Sequence, residues 1–151
     1  MHPNRVFEQS IDIQADLQRV DQTITERDLM HRWLNPALRC EAIGAWSTAI
    51  GAECLFVIQI PFWKPTLRSR VIERRLGLVV WEFDGFFQGC DRWECQPEAD
   101  RIRLTNRFEF TIPSPIIATG FNIFAAHWTR RDMQSQLIRL KAVAESVGPT
   151  P

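Results

Sequence analysis

Tyrosine is missing altogether from this sequence, although the chain holds ten phenylalanines and six tryptophans. No acid–base or covalent step can therefore use a phenolic hydroxyl. Charge of one sign is missing too. Eighteen basic residues are matched by 18 acidic ones, so the formal net charge is zero with histidine neutral. A general attraction to nucleic acid or to an anionic membrane is not expected. Long hydrophobic runs are also lacking: LGLVVW at 76–81 is far too short to cross a bilayer. The opening MHPNRVFEQSIDIQADLQ has no apolar centre of signal-peptide type. The reading is a soluble cytoplasmic protein with no nucleic-acid partner and no stable membrane insertion. Glycine-rich phosphate loops of the GxGxxG or GxxxxGK[ST] kind do not occur, so nucleotide chemistry has no anchor.

Metal and disulfide frameworks fare no better. Cys90 and Cys95 are five apart, which sends them to opposite faces of a regular strand. His2, His31 and His127 have no paired spacing. Cys40 and Cys54 complete a set of four thiols expected to stay reduced. Neither a metal nor another cofactor is expected.

What is present is periodicity. A length of 151 residues suits one domain, 1–151, around one core. Phe7, Gln9, Ile11 and Ile13 share one parity, which fits a half-buried strand over 6–13. Leu17, Val20 and Ile24 recur at helical spacing. Thr25 followed by Asp28 reads as a capped second helix start, with Leu29, Met30, Trp33 and Leu34 on its apolar side. The Asn35-Pro36 pair stops it. Strand patterns follow: a weak one in RCEAIGA, then 53–60, 67–75, the segment ending at Asp84-Gly85, FFQGCDRWEC, and 101–112. The last alternates most cleanly, with Ile102, Leu104, Phe108, Phe110 and Ile112 on one face. Short connections make these an antiparallel meander with no room for crossover helices.

From Ser114-Pro115 to about Val147 the spacing predicts one long helix. Ile117, Phe121, Phe124 and Trp128 form a first apolar stripe, and Met133, Leu137, Leu140, Ala144 and Val147 a second. The step from 128 to 133 turns the stripe by about 140°. That turn suits a helix that bends, or one whose first half is enclosed from more than one side.

The order strand, two short helices, six-strand meander and long helix resembles the helix-grip fold of the START-like superfamily. This group, also called SRPBCC, includes the polyketide cyclase/dehydrase and lipid-transport proteins and plant pollen allergens. VFEQSIDIQADLQRVDQTITERDLMHRWLNP is similar to the opening of bacterial members, with Trp33 at the usual tryptophan. LGLVVWEFDGFFQGCDRWECQPEADRIRLTNRFEF resembles their central hairpins, and DMQSQLIRLKAVAE their final helix. The resemblance implies an α+β fold. In it a curved seven-stranded antiparallel sheet wraps a long C-terminal helix, two short helices follow the first strand, and a cavity lies between sheet and helix. Ligands of related proteins include lipids, sterols and aromatic polyketides. No universal catalytic residue can be carried over by position.

On that fold one parity of each strand faces inward: Phe56, Ile58 and Ile60; Val79, Trp81 and Phe83; Phe108 and Phe110. Phe121, Phe124 and Trp128 join them from the helix. These rings either fill the core or line a pocket for an apolar or aromatic molecule. Asp91 shares the parity of Trp93, which leaves two readings open: it enters the cavity, or a bulge or an outward face turns it away. Asn106 and Gln9 interrupt apolar rows, where each orients a ligand or satisfies backbone. His127 and His31 read as satisfied or solvent-facing side chains. Phe62, Trp63 and Lys64 form a stiff loop between prolines, a cap on the body or a lip at the cavity mouth. The arginine-rich pieces VIERR and HWTRR read as solvated faces.

The leading expectation is binding or transport of a small hydrophobic molecule in an internal cavity, by a monomer or homodimer. An alternative is a cyclase or dehydratase acting on an aromatic or polyketide substrate, with Asp91, Asn106 or His127 moving the proton. A further alternative is a non-catalytic interaction module.

Overall fold

A strand whose alternate residues are apolar can bury one face only if something curves over it. Here that cover is a pair of short helices and one long one. The computed structural model describes residues 5–59, 65–85, 87–112 and 126–146, the side chains of 126–129 excepted. The first strand, β1 (Arg5–Ile13), buries Phe7 and Ile13. Asp16 ends the run and accepts the Arg19 N–H on Oδ1 at 2.7 Å, capping α1 (Leu17–Thr25). Val20 and Ile24 are the buried stripe of α1.

The expected capping box at Thr25 and Asp28 does not form. Glu26 is the N-cap of α2 (Arg27–Trp33) and makes no side-chain cap. Thr25 instead donates its hydroxyl back to Asp21 O at 2.8 Å. A serine or threonine in the last turn of one helix has its own i−4 carbonyl in reach, and that bond wins over capping the next helix. After α2 the Asn35 side chain accepts the Ala37 N–H at 2.8 Å and turns the chain into the sheet.

Six strands follow: β2 (Leu38–Ala42), β3 (Glu53–Ile58), β4 (Thr66–Arg75), β5 (Leu78–Asp84), β6 (Gln88–Glu98) and β7 (Arg101–Thr111). They pair as an antiparallel meander, and β1 returns beside β7, giving the order β1-β7-β6-β5-β4-β3-β2. The sheet curves around α3 (Ala126–Ser146), which buries Met133, Leu137, Leu140 and Ala144 on the second predicted stripe. Val143 and Gln136 are buried beside them. The stripe from Ile117 to Phe124, and Val147, lie outside the described residues.

Two features of the sheet shape what lies inside it. In β4 the register shifts between Val71 and Glu73, so Ile72 is an extra residue. Val71 opposite Trp81 faces inward before the shift, and Arg74 opposite Val79 faces inward after it. The expectation that VIERR is a solvated face therefore fails at Arg74. Its guanidinium reaches α1 and binds Asp21 in two-pronged fashion at 2.7 and 2.8 Å. Gly77, in the tight turn after β4 at φ +82°, adds its N–H to Asp21 Oδ1 at 2.9 Å. The second feature is Gly89, where a Cβ would collide with the Glu109 carbonyl. Its absence lets β6 and β7 lie close beside the site.

Candidate functional site

The inward row of β6 carries Asp91, Trp93 and Cys95, as alternation from the buried Trp93 requires. In the sheet Asp91 is directly flanked by Trp81 of β5 and Phe108 of β7. The next row places Trp93 between Val79 and Asn106. Asp91 thus sits between two aromatic rings on the concave face, with an indole and an amide one step along.

Those neighbours hold its carboxylate. Asn106 Nδ2 donates to Oδ1 at 2.7 Å, and Trp93 Nε1 donates to Oδ2 at 2.9 Å. Asn106 Nδ2 also donates to the Arg92 carbonyl at 3.2 Å, so two acceptors fix which way the amide points. Burial in this apolar setting pushes the Asp91 carboxyl up to about 6, while the Asn106 and Trp93 hydrogen bonds pull the other way.

This shift has a thermodynamic consequence. Asp91 has its folded-state pKa raised from 3.8, so the folded chain holds a proton that the unfolded chain releases. Stability relative to an Asp91→Asn variant should be greatest below about pH 4 and fall as pH rises to about 6, by roughly 3 kcal/mol. Paired urea titrations from pH 3.5 to 7.5 measure this; a difference that stays flat across the window would contradict it.

Around Asp91 lies a partly enclosed cavity of about 240 Å³. Its wall holds Phe56, Trp81, Phe83, Asp91, Trp93, Asn106 and Phe108, seven of the eleven candidates. Phe83 and Phe108 stack with centroids 5.3 Å apart, and Phe56 meets Trp81 edge-on at 6.2 Å. Phe110 does not line the wall. It is fully buried one step further along β7, against Phe87 and Phe7 in a separate cluster. Strand parity gives the face a residue points to, not its position along the strand, and Phe110 lies past the cavity's end. Phe121, Phe124 and the side chain of Trp128 lie outside the described residues, as do Ile60, Phe62, Trp63, Lys64 and the side chain of His127.

Several lining residues went unseen in the sequence. Met30 and Trp33 close the cavity from α2 and Leu34 from its C-cap, with Trp33 packed 5.0 Å from Trp93. Trp33 is itself fixed by donating Nε1 to Thr23 O at 2.7 Å. On the helix side Asp132 accepts Asn35 Nδ2 on one oxygen and Gln136 Nε2 on the other, both at 2.7 Å. Asp132 and Gln136 are one turn apart on α3, a spacing that was readable as a hydrogen-bonded pair. Among the described lining residues there are two carboxylates and no Lys, Arg or His.

The other polar candidates have structural partners. Gln9 donates Nε2 to Arg130 O at 3.0 Å, and His31 accepts the Cys40 N–H on Nε2 at 3.0 Å. Of the three residues considered for proton transfer, Asp91 and Asn106 meet at the cavity. All four cysteines are free thiols. Among the described residues no cluster of metal-ligating side chains occurs, and no helix is long and apolar enough to cross a membrane.

Comparison with known proteins agrees with the fold. Residues 5–145 fit the family model described as polyketide cyclase/dehydrase and lipid transport. Among solved structures, TTHA0849 from Thermus thermophilus superposes with a TM-score of 0.77 at 13% identity, covering 96% of this chain and 100% of that one. The Zhui aromatase/cyclase from a Streptomyces species gives 0.72 at 13% identity, covering 95% and 94%. The CV1439 protein of Chromobacterium violaceum gives 0.69 at 13% identity, covering 93% and 96%. At such identities the likeness is one of fold. Among curated proteins none matches the sequence.

Proposed function

Because the chain belongs to the polyketide cyclase/dehydrase and lipid transport family, we propose that it binds one small apolar or aromatic molecule between its sheet and α3. The observation that carries this is the wall itself. Phe56, Trp81, Phe83, Trp93 and Phe108 surround space that no described side chain fills. Removing a ring-bearing ligand from water into such a wall gains by area burial and by ring packing. Size limits the class. A volume of about 240 Å³ lies below the ~300–1,000 Å³ usual for drug-sized ligands, so a molecule of two or three aromatic rings fits better than a sterol or a two-chain lipid.

Titration with N-phenyl-1-naphthylamine, an uncharged fluorescent aromatic, tests the reading. Its emission should rise saturably with one site per chain and a Kd on the order of 10–100 µM. Naphthalene should displace it. A linear, unsaturable signal combined with no competition by naphthalene would remove the proposal.

A further inference from the structure

An apolar cavity in which the only charged groups of the described wall are carboxylates does not treat all ligands alike. Asp91 carries the stronger signal because it sits within the aromatic row, between Trp81 and Phe108. An ionised carboxylate offers about four acceptor positions. Asn106 and Trp93 each take one, on different oxygens. Both of these neighbours donate N–H groups, so the acceptor character that remains is for a donor arriving from the cavity. The opposite wall repeats the chemistry, with Asp132 accepting a donor on each oxygen.

From this geometry we infer that the cavity selects aromatic ligands carrying a protonated amine, with the ammonium against Asp91 and flanked by the faces of Trp81 and Phe108. The inference rests on the proposed binding in the same cavity and names its ligand class. Three effects act in one direction. The carboxylate forms a charge-assisted hydrogen bond to the ammonium in a site shielded from water. Ring quadrupoles attract the same cation. A ligand carboxylate or phosphate would meet two like charges and, among the described lining residues, no cationic side chain.

Ionisation state then enters as regulation. The groups facing Asp91 are Trp81 from β5, Asn106 and Phe108 from β7, Trp93 on its own strand and Trp33 from α2. β3 and β4 bring Phe56, Leu67 and Ser69, and α3 brings Asp132 as the one other charged group among the described lining. The tryptophan, phenylalanine, leucine, serine and asparagine side chains carry no charge, so the two carboxylates supply the attraction, and its change around pH 6 is that of Asp91. It strengthens as pH rises through about 6, and the bound ammonium in turn holds Asp91 ionised.

Three naphthalene probes of similar size decide the matter: 2-(1-naphthyl)ethylamine, 1-propylnaphthalene and 1-naphthylacetic acid, each competing against N-phenyl-1-naphthylamine at pH 5 and pH 8. At pH 8 the amine should bind about tenfold or more tighter than the hydrocarbon, and the acid more weakly than both. The amine's advantage should shrink at pH 5, and in Asp91→Asn it should fall severalfold at pH 8 and lose its change with pH while the hydrocarbon still binds, the remainder being what Asp132 supplies. If the hydrocarbon binds but amine and acid match it, the ligand-class inference is overturned and cavity binding stands. If no probe competes and the reporter itself fails to bind, both readings fall. The wild-type comparison at two pH values needs no variant, so poor folding of Asp91→Asn leaves the outcome decisive.

Discussion

Replacing Asp21 with asparagine should cost about 3–5 kcal/mol of folding free energy. The magnitude follows from what the change leaves behind. Arg74 and Asp21 form a two-pronged pair with side chains only 20% and 10% exposed. A guanidinium in that position cannot regain its hydration when its carboxylate is removed. An exposed pair such as Arg70 with Glu82 is worth at most about 1 kcal/mol by comparison. Asp21 Oδ1 also accepts the Gly77 N–H, and the single oxygen that asparagine keeps cannot serve that N–H and both Arg74 nitrogens together, so the β4–β5 turn and the α1 contact compete for it. A small domain has roughly 5–15 kcal/mol in all, so the variant should lose a large fraction of its stability. Urea denaturation with the double variant Asp21→Leu, Arg74→Met separates the causes. Replacing both charges should recover most of the loss, because it leaves no buried charge alone. A loss below about 1 kcal/mol in the single variant would mean that the pair behaves as a surface ion pair.

The second large effect concerns binding. Ser69 is 1% exposed and lines the cavity from β4, opposite Phe83. Ser69→Phe should place a ring in the space that the ligand needs, lowering N-phenyl-1-naphthylamine affinity at least about tenfold. Stability should change by no more than about 1–3 kcal/mol, since the ring enters space instead of a packed core. Ser69→Ala, which removes one hydroxyl and fills nothing, should bind as the parent does. Undiminished binding in Ser69→Phe, with the fold intact by circular dichroism, would place the ligand elsewhere.

The sheet was legible in the sequence because alternation is a local property. Ile102, Leu104 and Asn106 announce their face by spacing alone, and the structure buries all three. The same reasoning brought Asp91 and Trp93 to one side. It broke down where one residue changes the phase. No pattern in TLRSRVIERR marks Ile72 as extra, so Arg74 read as solvent-facing when it is turned toward α1. It also missed the helical half of the site. An amphipathic stripe is found by its apolar members, and that method passes over Asp132 and Gln136. Their inward place depends on Asn35, which is 97 positions away from Asp132 in the chain. Contacts of that span are set by tertiary packing and leave no local trace.

The extra residue in β4 has an implication for how this scaffold can change over time. Upstream of Ile72 the strand gives Leu67 and Ser69 to the cavity, and downstream it gives Arg74 to the α1 anchor. One strand thus supplies both tasks through separate, non-overlapping sets of side chains. Substitutions at sites without shared partners combine nearly additively. Ligand preference can therefore drift through Leu67 and Ser69 without eroding the Asp21–Arg74 lock, which gives the protein room to acquire new ligands while keeping its fold.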